Sequence, residues 1–175
     1  MILDPLNLSI VAGLIILLLS NLALANSLFS LKKNIKQSWQ TIINAFDTRT
    51  DLIPLLITTF TEYKKFDKKS LSSLIKSKND SYIIKEVNKK FAIESKIDDF
   101  IDKIIEEGKR SKKLSADVDF LELIGLFEES KNEIRSLINS HNELTENYNH
   151  NLKSFYAILI RPIIGWRGVK TLPIK

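Results

Sequence analysis

A long apolar segment near the start of the chain constrains the fold most. Residues 5–31 contain no Asp, Glu, Lys or Arg, and residues 10–19 are almost entirely aliphatic. About twenty helical residues, at roughly 1.5 Å each, cross the ~30 Å hydrocarbon core of a bilayer. We therefore predict a membrane anchor over residues 1–29 that contacts the lipid bilayer through residues 5–28.

A cleaved signal peptide is the alternative interpretation of this segment. Ala23, Leu24 and Ala25 form the A-x-A pattern that follows the apolar core of such peptides. Residues 1–4, however, contain an acid and no Lys or Arg, whereas signal peptides begin with positive charge. The sequence therefore favours an uncleaved anchor.

The charges beside the segment predict its orientation. Asp4 precedes the segment, and Lys32 and Lys33 follow it directly. Because the cytoplasmic flanks of membrane helices are enriched in Lys and Arg, we expect the N-terminus outside and the rest of the chain in the cytoplasm. Lys32 and Lys33 are therefore candidate membrane contacts.

The remaining charge is unevenly distributed. Residues 32–90 carry 13 Lys or Arg and 6 Asp or Glu, residues 91–150 carry 8 and 14, and residues 151–175 carry 5 and none. A nucleic-acid-binding protein more often has one continuous basic face, so we expect no nucleic-acid partner. The basic stretches instead adjoin apolar ones, which indicates a membrane surface.

Residues 156–175 are predicted to form an apolar and basic C-terminal tail. It contains Arg161, Trp166 and Arg167, which are typical of membrane interfaces and are further candidate membrane contacts. The alternative is that the tail folds back over the end of the protein as a cap. The sequence favours neither.

Apolar residues recur at steps of three and four in three stretches, over residues 35–60, 84–104 and 120–155. This period indicates amphipathic helices, and only five Gly and four Pro argue against a many-stranded sheet. Pro54 should bend the first helix about a turn upstream, and Asp117 or Asp119 can cap the third. Residues 64–79 predict a loop with a short helix at 71–75. The fold class is all-α, with a bundle of three or four helices over residues 30–155.

The sequence contains few groups for chemistry. It has no Cys and only two His, and His141 and His150 are nine residues apart, on opposite sides of a helix. Neither a phosphate-binding glycine loop nor a nucleophile motif is present. We therefore predict no catalytic residue, no metal site and no cofactor. His141 is expected in the core, and the acids of residues 94–107 are expected on a solvent-exposed helix face.

Two blocks of the sequence resemble the LemA family. In the first, Trp39 is followed by a hydrophobic helix, by Arg49 and by the run Asp51-Leu-Ile-Pro54. The second is similar to the C-terminal helix of the family and contains Asn132, Ile134, His141, Asn142, Tyr148, Asn149, Phe155, Leu159, Gly165 and Trp166. Residues 65–118 are similar only in helical character. The chain departs from the family pattern at Lys131, His141, Tyr156 and Trp166.

The resemblance implies a bacterial inner-membrane protein with one N-terminal transmembrane helix and an elongated antiparallel helical bundle. Its motif residues are predicted to be structural: Trp39, Arg49, Asp51, Pro54, Asn132, His141, Asn142, Tyr148, Asn149 and Phe155. If the two signature helices pack antiparallel, Arg49 and Asp51 should face Asn142, Tyr148 and Asn149. A buried polar network that fixes helix register is favoured there over a ligand site.

These observations predict a non-enzymatic, membrane-anchored helical scaffold or adaptor at the cytoplasmic face of the bacterial inner membrane. Its partner is expected to be a membrane or envelope protein. The alternative is a lipid-engaging, membrane-organising module that uses the basic ends and the tail. A cryptic enzyme is the least supported interpretation.

Overall fold

The computed structural model describes residues 4–63, 68–154 and 165–173, and of residues 68–70 only the backbone. Five α-helices follow one another within these ranges: α1 (Pro5–Asp51), α2 (Ile53–Tyr63), α3 (Lys68–Ile83), α4 (Val87–Arg110) and α5 (Val118–Asn151). A short 3₁₀ helix, Leu114–Ala116, precedes α5. The described ranges contain no strand, so the all-α fold class is confirmed.

The break between α1 and α2 lies where Pro54 predicts it. The N–H of Leu52 donates to the carbonyl of Arg49 at 3.1 Å, an i to i−3 bond, and α2 begins at the next residue. Proline has no N–H to donate to the carbonyl four residues earlier, so the helix cannot continue regularly through this point. The helix is therefore interrupted within one turn upstream of Pro54, and the bend itself stays a prediction.

The structure corrects the prediction for the Lys- and Ser-rich stretch. Residues 68–83 form one sixteen-residue helix instead of a loop with a short helix at 71–75. Leu74, Ser77 and Ser81 are buried at helical spacing, and Lys favours helix on the solvent side, so a weakly apolar stretch suffices. The next helix, α4, begins at Val87, so Ile84, which the apolar period predicts to belong to this helix, precedes it.

The start of α5 is capped by one of the two acids that the sequence offered. Asp117 Oδ1 accepts a hydrogen bond from the N–H of Phe120 at 2.8 Å. Tyr63 Oη donates to the other carboxylate oxygen of Asp117 at 2.7 Å. The bond from Tyr63 and the backbone N–H together lower the pKa of Asp117. The acid therefore caps α5 and also ties the end of α2 to it.

The chain forms two compact units. The first unit comprises Met1–Gln40 and Leu137–Lys175, and the second comprises Thr41–Ser136. The core of the first unit is formed by Leu28, Ile35, Tyr148, Leu152 and Trp166. The core of the second is larger, and its fully or nearly fully buried members include Ile53, Leu56, Phe60, Leu74, Ile97, Leu114, Phe120 and Leu123. The predicted domain boundaries at residues 29 and 155 stay predictions.

The first part of α1 is apolar and exposed. Its most apolar eighteen-residue window has a mean hydropathy of 2.5, and none of it is buried. Among the described residues this is the one helix long and apolar enough, by length and composition, to cross a membrane. Leu28 is fully buried, and Leu24 and Ala25 pack beside the same core. Packing against protein therefore begins within the last turns of the predicted anchor.

Candidate functional site

Two asparagines of α5 bind the backbone of residues 165–173, which we call the tail segment. Asn149 Nδ2 donates to the carbonyl of Val169 at 2.7 Å, and its Oδ1 accepts the N–H of the same residue at 2.9 Å. Asn142 binds Leu172 in the same way: its Nδ2 donates to the carbonyl at 2.9 Å, and its Oδ1 accepts the N–H at 2.7 Å. We call this pair of residues the asparagine clamp.

The spacing of the clamp matches that of an extended peptide. Asn142 and Asn149 are seven residues apart, which is two helical turns and about 10.5 Å along α5. Val169 and Leu172 are three residues apart, which an extended chain covers in about 10 Å. Because Asn149 binds Val169 and Asn142 binds Leu172, the tail segment runs antiparallel to α5.

Two side chains of the tail segment are buried. Trp166 is 3% exposed and packs edge-on against Phe29, with ring centroids 5.2 Å apart at 74°. Leu172 is 6% exposed. The carbonyl of Arg167 accepts a hydrogen bond from Tyr148 Oη at 3.4 Å. The tail segment is therefore attached by backbone bonds and two apolar anchors, while Arg167, Gly168, Lys170 and Thr171 are exposed.

This geometry corrects one predicted membrane contact. Trp166 is one of the candidate membrane contacts, but its ring is buried in the core of the first unit with Leu28 and Ile35. Residues 165–173 fold back onto the protein, as the alternative prediction for the tail has it. Lys32, Lys33 and Arg167 are exposed, as a membrane contact requires. Arg161 and Phe155 lie outside the described residues.

His141 is a buried core residue, as predicted. It is 4% exposed, and its Nδ1 lies 2.7 Å from Ser38 Oγ. The hydroxyl of Ser38 also donates to the carbonyl of Ile35 at 2.9 Å. Burial lowers the pKa of His141, because it disfavours the charged ring.

The second unit contains a buried ion network. Arg49 donates to Glu94 at 2.6 Å and to Asp98 at 2.5 Å. Lys90 lies 2.9 Å from Asp47 and 3.2 Å from Glu94. The side chains of Arg49, Lys90 and Glu94 are at most 3% exposed, whereas Asp98 and Asp47 at the edge of the network are 23% and 33% exposed.

Neutral groups complete this ion network. Lys90 Nζ donates to the carbonyl of Ser81 at 2.7 Å and contacts its hydroxyl at 2.8 Å, and that hydroxyl donates to Glu94. The ring of Phe46 lies 5.3 Å from the Arg49 guanidinium and 5.8 Å from the Lys90 ammonium.

Burial raises the pKa of Asp98, although Arg49 acts in the opposite direction.

A surface cleft of about 250 Å³ adjoins the network. Arg49, Asp98, Asp102 and Lys131 line it, and Lys131 pairs with Asp102 at 3.0 Å. Arg49 Nε is buried and has no hydrogen-bond partner among the described residues. Within the described ranges, no group of three His, Asp or Glu residues is placed to hold a metal ion.

The predicted network between the two signature helices is not the one that forms. Arg49 bonds to α4, and Asp51 accepts a hydrogen bond from Tyr82 of α3, both within the second unit. Asn142, Tyr148 and Asn149 bond to the tail segment in the first unit. The motif residues therefore form two separate sets, because the first set bonds to side chains of α3 and α4 and the second bonds to the backbone of the tail segment.

Other motif residues have simpler positions. Trp39 is half-buried, Asn132 is exposed, and Pro54 is exposed at the start of α2. The expectation that the acids of residues 94–107 face solvent is wrong for Glu94, which is 1% exposed. Sequence reasoning also missed Lys90. A signal for Glu94 was available, because the apolar stripe of α4 leaves a gap between Phe91 and Ile97 that Glu94 fills.

Comparison with known proteins identifies the family. The model of the LemA family matches residues 38–174. The chain belongs to the LemA family. The region that matches the LemA model includes the asparagine clamp, the ion network and the tail segment, whereas the most apolar part of α1 precedes it. A search of curated proteins finds no match.

Proposed function

We propose that this LemA-family chain is a single-pass inner-membrane protein whose helical body lies in the cytoplasm and acts as a non-enzymatic adaptor for protein partners. One observation carries the membrane anchoring on which the proposal depends: the apolar window of α1 is entirely exposed. Side chains such as Leu14, Ile16 and Leu18 are 56–65% exposed. An apolar surface of this extent is unfavourable in water, and a lipid bilayer is the environment that covers it.

The same helix supplies both the anchor and part of the protein core. Pro5 to Leu24 is twenty residues, about 30 Å of helix, and the next turns pack against Trp166. Lys32 and Lys33 are exposed just after this point, and so is Arg167 beside Trp166. Three cations close to the end of the span support a cytoplasmic body under the positive-inside rule.

The polar groups of the described residues support an adaptor over an enzyme. The buried cations of the second unit are each paired with carboxylates, and the asparagine clamp is bonded to peptide backbone. Groups with these partners stabilise helix packing and hold a chain segment. An enzyme would need a titratable cluster free to react with a substrate in a cleft.

Cysteine labelling tests the anchor and its orientation, because the chain contains no Cys of its own. Single-cysteine variants Asp4→Cys and Lys33→Cys are treated in intact spheroplasts with a membrane-impermeant maleimide. We expect Asp4→Cys to be labelled and Lys33→Cys to be labelled only after lysis. Labelling in the reverse order would contradict the orientation, and mature protein that starts at Asn26 would establish the signal-peptide alternative.

A lipid-engaging role is the second candidate, and the exposed cations Lys32, Lys33 and Arg167 favour it. Each cation near an anionic surface contributes about 1 kcal/mol, and salt screens the attraction. An environment-sensitive dye on Thr171→Cys, with the full chain in nanodiscs, tests this role. Emission that shifts with anionic lipid and reverts at high salt supports it. Emission that is the same in neutral and anionic nanodiscs would contradict the lipid-engaging role and favour the adaptor role.

A further inference from the structure

The asparagine clamp binds the tail segment without contacting its side chains through hydrogen bonds. All four bonds of the asparagine clamp go to main-chain N–H and C=O groups, those of Val169 and Leu172. A side-chain amide can bond in the same way to any residue except proline, because every other residue has the same two groups. The clamp therefore recognises an extended peptide backbone as such.

The anchors of the tail segment define a simple pattern. Trp166 enters the site beside Leu28, Tyr148 and Leu152, and Leu172 is buried six residues later. A side chain at position 168 would meet Asn149 Oδ1 at 3.2 Å, so glycine or a small residue fits there. A matching ligand is thus an extended segment with an aromatic residue, a small residue two positions on and an aliphatic residue after four more.

The tail segment also leaves part of its site unfilled. A cleft of about 340 Å³ lies beside the clamp, lined by Asn149, Leu152, Lys153, Gly168, Val169 and Lys170. Asn149 of α5 and the two residues just after this helix, Leu152 and Lys153, line one side, and Gly168, Val169 and Lys170 of the tail segment line the other. A bulkier occupant would make contacts there that the chain's own residues do not.

We propose that the asparagine clamp is a binding site for an extended peptide segment of a partner protein, and that the tail segment occupies it as an internal competitor. This inference rests on the proposed adaptor function and names the class of partner. A tethered segment competes at an effective concentration in the millimolar range, so a partner must bind more tightly or be locally concentrated. The tail segment thereby sets a threshold for binding.

The first experiment releases the tail and supplies the ligand separately. The full chain with Trp166→Ala and Leu172→Asp is reconstituted in nanodiscs and titrated with a fluorescein-labelled peptide of residues 165–173, followed by anisotropy. We expect saturable binding, and at least tenfold weaker binding to the wild-type chain. Adding Asn149→Ala removes two hydrogen bonds and should weaken binding roughly 30-fold. Retained helical circular dichroism verifies that each variant is folded.

A modified peptide tests the clamp with both asparagines intact. N-methylation at Val169 and Leu172 removes the two donated N–H groups and keeps every side chain. We expect at least a tenfold loss of binding, whereas N-methylation at Thr171 is the matched control. If the released-tail variant fails to fold, unlabelled versions of the same peptides that carry Trp166→Phe, and therefore contain no tryptophan, are titrated into the Trp39→Phe chain. Displacement there moves Trp166 into water and shifts its emission to longer wavelength.

Three results would overturn the inference. No binding up to 1 mM would leave the tail segment as a structural cap. Equal binding of the N-methylated and unmodified peptides would show that the clamp does not read the backbone. Dimers that exchange tails and bind no added peptide would assign the site to a second copy of this chain. In each case the cysteine-labelling result is unaffected, so failure here is distinct from failure of the proposed anchoring and orientation.

Discussion

At the scale of single residues, the second unit stabilises a set of charges that would be costly alone. Arg49, Lys90 and Glu94 are each nearly inaccessible to water. Removing a buried charge from water costs several kcal/mol, and only close opposite charges and hydrogen bonds offset that cost. Glu94 contacts both cations, at 2.6 Å and 3.2 Å, and is therefore the acid on which the others depend.

Glu94→Gln should destabilise the protein strongly. The substitution keeps the shape of the side chain but removes the buried negative charge that Arg49 and Lys90 share. Removing one partner of a buried ion pair costs about 3–5 kcal/mol of stability. Thermal unfolding followed by circular dichroism in detergent measures the effect. Asp99→Asn is the matched control, because Asp99 is exposed on the same helix and should change stability by less than about 0.5 kcal/mol. Equal melting of both variants would contradict the network.

His141 should make stability depend on pH. Burial lowers its pKa in the folded protein, so the unfolded chain binds the proton more readily. The stabilisation is present above the unfolded pKa of about 6.5 and is lost as the pH falls through that value towards the folded pKa. The melting temperature should therefore fall between pH 7.5 and 5.5, and His141→Gln should flatten the change. His150→Gln, at an exposed position, should leave it intact.

At the scale of elements, the end of α4 packs directly against the start of α5. Gly108 lies under the ring of Phe120, and a Cβ at this position would overlap that ring and meet Leu114 Cδ2 at 3.0 Å. Gly125, in the interior of α5, has nothing within 4 Å of the corresponding point. Two helical glycines therefore have opposite structural roles.

Alanine at these two positions should change stability with opposite signs. Helix propensity alone favours alanine over glycine by about 1 kcal/mol. Gly125→Ala should gain up to that amount, because the site is open. Gly108→Ala should instead lose about 1–3 kcal/mol, since overpacking displaces Phe120. Chemical denaturation of both variants checks the signs, and stabilisation by Gly108→Ala would contradict the close packing of α4 and α5.

At the scale of the whole molecule, the long helices could be predicted from the period of the apolar residues and from Pro54. The partners of the buried polar side chains could not be predicted. Arg49 and Glu94 each fill a gap in an apolar stripe, which indicates burial but does not identify the partner. The binding of residues 165–173 by Asn142 and Asn149 involves only backbone of the bound segment, and such contacts leave no pattern in its side chains. The helix over residues 68–83 was not predicted at its full length because few of its residues are apolar.

The two parts of α1 should respond differently to the same substitution. Leu18 is 61% exposed in the apolar window, whereas Leu28 is fully buried in the core of the first unit. Leu18→Asp places a charge where lipid is expected, at a cost of about 2.5–3.5 kcal/mol for insertion, so more protein should leave the membrane fraction during carbonate extraction. Its melting curve in detergent should match the parent. Leu28→Asp should remain in the membrane and unfold at lower temperature, because an unpaired charge enters a protein core. If both variants are extracted alike and melt alike, α1 does not divide into a lipid-facing part and a protein-packed part.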